Sequence, residues 1–301
     1  MDTETALLAL GRLDGRLSHS PAAQPWLIKA RLEGAATAAC NASVPVTVHD
    51  LQAWLSGIRN PPRSSEGLND PLSVAAVVYF FFATLDQARG HNDRAVTRLL
   101  RSLLDVDAEA HVWAREDLMH FGPLWRAVHS LAREPGLKPN IPSVAKRLHE
   151  MARVATKSHG RRQLAATSHD GRQLTFMPED RRAWLVSLMV PELVRRADLT
   201  TNLIPSLVPS LRFLDRDACG YEALIADCIG RAASVGLKSL ANMERQIVEI
   251  DHRYKRTARS RLRLAAELGL AIPSLSRAKL AIAVKATPAG AAYLMKELGS
   301  N

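Results

Sequence analysis

Aromatic side chains are scarce in this sequence: five Trp, four Tyr and six Phe make up 5% of 301 residues. β-Branched runs are short and scattered as well, a balance that favours helices over sheets. Only three cysteines occur, Cys40, Cys219 and Cys228, with no CxxC pair. An odd, unpaired set excludes a disulfide frame and a zinc site and fits small buried residues in a reducing compartment. No basic stretch opens the chain, MDTETALLAL, so it does not begin as a signal peptide. The most apolar run, residues 72–85 (LSVAAVVYFFFATL), is too short to span a bilayer as a helix and is expected to be a buried core helix. A cytoplasmic protein without membrane contact is the expectation.

Catalytic signatures are lacking too. The ten histidines form no HExxH, no HxH and no Cys/His cluster. His111, His120 and His129 recur at nine-residue steps, which drift around a helix instead of sharing one face. The adjacent acids Glu116-Asp117 and Glu179-Asp180 suit helix starts better than acid–base pairs. There is no GxSxG, no GxxxxGK[ST] and no GxGxxG between a strand and a helix. No enzyme activity, cofactor or metal is expected.

What is present is charge, unevenly spread. The whole chain carries +10, yet residues 251–301 hold ten Lys/Arg against three acids, a net of +7. The other 250 residues hold thirty basic and twenty-seven acidic side chains, only +3. A basic end on a nearly neutral body points to a local polyanion-binding surface, a solvated helix face with arginine bias being the alternative.

The pattern is otherwise a succession of helices. Leu7, Leu8, Leu10, Leu13 and Leu17 have helical spacing over residues 5–17, and a second helix is expected over 26–41. Residues 44–48 contain Pro45 and read as extended. Thr47 can cap a helix over 49–56 that Gly57 ends. Residues 60–71 have linker composition, two or three helices follow to about 132, and another spans 143–154. Residues 157–180 read as a surface loop, and 181–196 as a helix broken or kinked by Pro191. A long helix is expected over 221–255, with Ala223, Leu224, Ala226, Ile229, Val235, Leu237, Leu240, Met243, Ile247 and Ile250 on one broad face, weakened at Gly230 and Gly236.

Three short helices then follow. The first covers about 260–268 and is closed by Gly269. Ser276 caps the second, 277–284, with Ala278, Leu280, Ala281 and Val284 inward. Lys285-Ala286 makes a turn, and Thr287-Pro288 starts the third, 288–298, with a hydroxyl cap and proline at the first position. Small Ala281, Ala291 and apolar Leu294 have the spacing of a helix-turn-helix, which places its last helix in a DNA major groove. Groove-facing candidates are Thr287, Ala289, Gly290, Tyr293 and Lys296. Phosphate-contacting candidates are Arg253, Lys255, Arg256, Arg259, Arg261, Arg263 and Lys285. No Arg, Asn or Gln lies between Thr287 and Leu298, so sequence choice would rest on Tyr293, Lys296, methyl contacts or DNA shape.

Residues 9–15 (ALGRLDG), 28–34 (IKARLEG) and 46–51 before Gly57 resemble the N-terminal helical region of Fic-family proteins. With residues 13–34, 236–256 and 260–298, the layout resembles an uncharacterised family of rhizobia and other alphaproteobacteria, a Fic-N-like helical body followed by a C-terminal helix-turn-helix. The resemblance implies DNA binding without Fic chemistry. The Fic motif, His-x-Phe-x-Asp/Glu-Gly-Asn-Gly-Arg, is absent, its nearest string being Gly90-His91-Asn92-Asp93-Arg94, and Lys29 stands where a Ser or Thr would precede Glu33-Gly34. Members of that family continue into a short basic, aromatic wing, which the resemblance implies is missing after Gly299-Ser300-Asn301.

The sequence therefore predicts a mostly α protein: a Fic-N-like region (1–60), a helical body (61–257) and a winged-helix-like helix-turn-helix (258–301) whose wing is missing. The functional expectation is a transcriptional or plasmid-maintenance regulator that binds double-stranded DNA, with a homodimer formed through residues 221–255 or a protein partner on the body. The alternative is a non-catalytic helical adaptor.

Overall fold

Short polar side chains set the helix starts. In the computed structural model, which describes residues 2–41, 46–59, 91–102, 122–157, 164–167, 173–176, 183–211, 217–253 and 261–299, Asp2 accepts from the backbone N–H of Glu4 and Thr5 and opens α1 (Thr3–His19). Helix α2 (Ala23–Asn41) takes Pro25 in its first turn, where no intrahelical donor is needed. Thr47 and Asp50 form a reciprocal capping box at the start of α3 (Val48–Ser56), and Gly57 closes it at φ 80°. Then come α4 (His91–Arg101), α5 (Gly122–Arg133) and α6 (Ile141–Lys157), the last capped by Asn140, whose Oδ1 accepts from Ser143 N–H at 2.9 Å.

The expected loop at 157–180 contains two strands, β1 (Leu164–Thr167) and β2 (Gln173–Phe176), paired antiparallel with Leu164 opposite Phe176. The expected helix at 181–196 is two helices, α7 (Ala183–Ser187) and α8 (Val190–Arg196). The break falls ahead of Pro191, which sits in the first turn of α8, where its missing N–H costs no bond. Helix α9 (Ala218–Arg253) is followed by α10 (Arg261–Ala271), α11 (Arg277–Val284) and α12 (Pro288–Gly299). The protein is thus mostly α, a multi-helix body with small C-terminal helices. Among the described residues no helix is long and apolar enough to cross a membrane. The extended segment at 44–45, the linker at 60–71 and the apolar helix at 72–85 lie outside the described residues.

Helix α9 is the spine, packed chiefly against α1 and α6 and also against α2. Gly236, expected to weaken it, is instead a point of close packing: a Cβ there would lie 2.9 Å from Leu13 Cδ2 and from Trp26 Cζ2. The Trp26 indole N–H donates to Gly236 O at 3.1 Å. The apolar face is largely the expected one, with Ala226, Ile229, Leu240, Met243 and Ile247 buried, but it differs at a few positions. Ala223 and Val235 are exposed, whereas Tyr221, Ile225 and Ala233 are fully buried.

Two buried polar side chains tie distant segments together. Asp14 accepts from the backbone N–H groups of Thr201 and Asn202 at 2.8 Å each, and from Asn202 Nδ2 at 2.9 Å. Asn41 donates to Ser187 Oγ and Pro209 O and accepts from Leu211 N–H, so both its amide nitrogen and its oxygen are partnered. One hydrophobic core runs through all of this, and Leu262, Ala265, Leu268, Leu280, Ala283, Val284 and Leu294 of the last three helices belong to it.

Candidate nucleic-acid interface

The site is built outward from α11. Ser276 starts this helix: its Oγ accepts from Lys279 N–H, and its own N–H donates to Ser56 O at 2.8 Å. Leu280, Ala283 and Val284 point inward. Ala278 and Ala281, expected inside, are exposed and half-buried. In so alanine-rich a helix the apolar pattern leaves the face poorly defined.

Lys285 ends α11 in the left-handed region, at φ 53° and ψ 45°. Its N–H donates to Ile282 O and that of Ala286 to Ala281 O at 2.9 Å, the six-to-one bond of a Schellman turn. Glycine normally takes such a position, since a Cβ there costs about 1 kcal/mol. Thr287 then caps α12, its Oγ1 accepting from Gly290 N–H at 3.1 Å.

Helix α12 rests on α11 and α10. Ala291 is fully buried and Leu294 nearly so. Of the groove candidates, Thr287, Ala289, Tyr293 and Lys296 are exposed and Gly290 is half-buried. Ala289, Tyr293 and Lys296 follow at i, i+4 and i+7 along one face. Tyr293 is 55% exposed. Met295, also exposed, escaped the sequence reading, as did Ile282 on α11.

The phosphate candidates divide three ways. Lys285 is exposed. Arg261 donates from Nη1 to Lys285 O at 2.9 Å, which brings a second cation to the turn. Arg263, though exposed, is paired within the chain, with Glu267 at 2.9 Å and Asp251 at 3.4 Å. The hydrogen bond to Glu267 is the main cause that raises its pKa, so a phosphate would have to displace two carboxylates. Arg253 ends α9. Lys255, Arg256 and Arg259 lie outside the described residues.

Two more cations lie where α11 meets the body, one from each side. Lys279 Nζ donates to Ser102 Oγ at 3.0 Å, and burial lowers its pKa. Arg98 of α4 donates from both Nε, at 3.0 Å, and Nη2 to Ala283 O. Burial, then the neighbouring Arg94, lowers the Arg98 pKa from the ordinary guanidinium value, and it stays charged.

Elsewhere, Lys29 and Glu33 of α2 sit 4.0 Å apart, and Lys29 Nζ donates to Ser239 Oγ on α9. Burial raises the Glu33 pKa, against the pull of Lys29. Cys228 is buried, and its thiol is pushed up to about 12. It is therefore protonated and inert at neutral pH. Among the described residues no three His, Cys, Asp or Glu side chains are grouped as metal ligands. No protein-family model, no curated protein and no solved structure matches the chain.

Proposed function

We propose that this protein binds double-stranded DNA through α12 and the turn before it, as a transcriptional or plasmid-maintenance regulator. The observation that carries the reading is Lys285. An exposed cation occupies a backbone position where glycine would be more stable, and Arg261 is hydrogen-bonded to its carbonyl. The strain is understandable if the charge is used. Lys285 and Arg261 then lie beside phosphates, while Ala289, Tyr293 and Lys296 face the groove. The face lacks Arg, Asn and Gln, so DNA shape or a second protomer supplies sequence choice. A helical adaptor is the second reading, favoured by the exposed Ile282, Tyr293 and Met295.

The test is fluorescence anisotropy of the full chain on a generic duplex across a salt series. Affinity should fall as salt rises. Lys285→Gly should lower the log–log salt slope by about 0.9, one phosphate contact, while leaving the turn at least as stable. Absence of binding at low salt sinks the DNA reading and favours the adaptor. Deleting the last helices would be a poor test, because Leu262, Leu268 and Leu280 belong to the common core.

A further inference from the structure

The last four carbonyls of α11 have no partner within the helix. Ala281 O and Ile282 O are met by the turn itself, through Ala286 N–H and Lys285 N–H. Ala283 O is met from outside, by the two donors of Arg98. Arg98 stands on α4, whose Ala95, Val96, Leu99 and Leu100 are buried in the core. Its guanidinium is half-buried and cannot retreat to solvent without leaving that carbonyl behind. At the other end of α11, Ser276 is held by Ser56 O and crowded by Gly57, where an added Cβ would sit 2.8 Å from Ser276 Oγ. Helix α11 is therefore fixed at its start by α3 and at its finish by α4. Lys285 and Thr287 follow Ala283 by two and four residues.

We infer that Arg98 is a positioning residue for DNA binding: by holding Ala283 O it fixes the turn at Lys285 and hence the direction in which α12 leaves the body. It does so without touching the duplex. This rests on the DNA reading above. It also makes α4 the element through which a change in the body reaches the reading helix. A positive charge at the C-terminus of α11 suits the helix dipole, and two donors converging on one oxygen restrict direction as well as distance.

The test combines DNA titrations with amide hydrogen exchange on Arg98→Ala, Arg98→Lys and Arg98→Met, the last retaining most of the side-chain volume. Losing a charged hydrogen bond at this site should weaken duplex affinity about tenfold in Arg98→Ala and Arg98→Met, with the salt slope unchanged. Arg98→Lys should recover part of the loss. Without DNA, exchange at residues 285–287 should accelerate about tenfold while α1, α2 and α9 keep their protection. A salt slope reduced by about one would place Arg98 on a phosphate and overturn the inference. So would unchanged affinity with unchanged exchange, or acceleration spread equally over all helices, which is the mark of a purely structural role. If the wild type binds no duplex, the DNA reading fails by itself. The exchange arm then decides whether Arg98 holds the turn.

Discussion

Helices α11 and α12 are neighbours in sequence, similar in composition and joined by one tight turn, yet their surroundings differ. Helix α11 is fastened at both ends by the body: Ser56 O receives Ser276 N–H, Ser102 receives Lys279, and Arg98 covers Ala283 O. Helix α12 rests on α10 and α11 with one side and turns Ala289, Tyr293, Met295 and Lys296 outward. The boundary between held and presented chain therefore runs through Lys285. Under the proposed DNA reading, a helix presented on such a support would meet the duplex with little further ordering cost.

The largest way to break the contrast lies in the body. Trp26→Ala should cost about 3–5 kcal/mol, measured by chemical denaturation, because it empties a core site and leaves Gly236 O without its indole donor. Protection should be lost throughout, α11 included. Leu294→Ala should cost about 2 kcal/mol and act locally, with faster amide exchange confined to α12 and the turn. Equal spread through α1 and α9 would show that α12 is as integral as α11. Lys285→Gly should stabilise by about 1 kcal/mol while weakening duplex binding. A variant that is stabilised and binds as well as wild type would remove the functional reason for lysine.

The smallest effect is a pH effect far from the interface. The hydrogen bond from Arg16 is the main cause holding the Glu244 carboxyl below the usual range, with burial opposing it. A depressed acid stabilises the fold above its unfolded pKa and loses that contribution as pH falls through the folded value. Stability measured against pH should therefore decline on the acid side of the ordinary carboxylate pKa, and Glu244→Gln should decline less there. Identical acid limbs would show that the pair contributes nothing to stability.

Local features were readable from the sequence. Thr47, Gly57, Ser276, Thr287 and the Thr287-Pro288 start lie where expected, because a cap depends on residues within one turn. The mostly helical architecture followed from the same local signals. Features made between segments were hidden. Gly236 reads as a weak point until Leu13 and Trp26 are seen against it. Arg98 is one of forty Lys and Arg residues, and nothing near it in sequence indicates that its partner is Ala283. The Arg263–Glu267 pair, at i and i+4, was legible, and it means the basic end is less free than its net charge suggests. Alanine was the main source of error in the candidate site, since Ala278, Ala281 and Ala283 fit inside or outside equally well.

Asp14 has a consequence for the order of folding. Helix α1 leaves the ribosome well before its partners: the backbone N–H groups that hold Asp14 belong to residues 187 and 188 positions later. Arg16 waits longer still, for Glu244, 228 positions on. At about 5–20 residues per second, the first helix spends roughly ten to forty-five seconds without these partners. Its leucine face waits for that interval without the long helix α9 that covers it in the folded protein, so α1 calls for chaperone cover during synthesis.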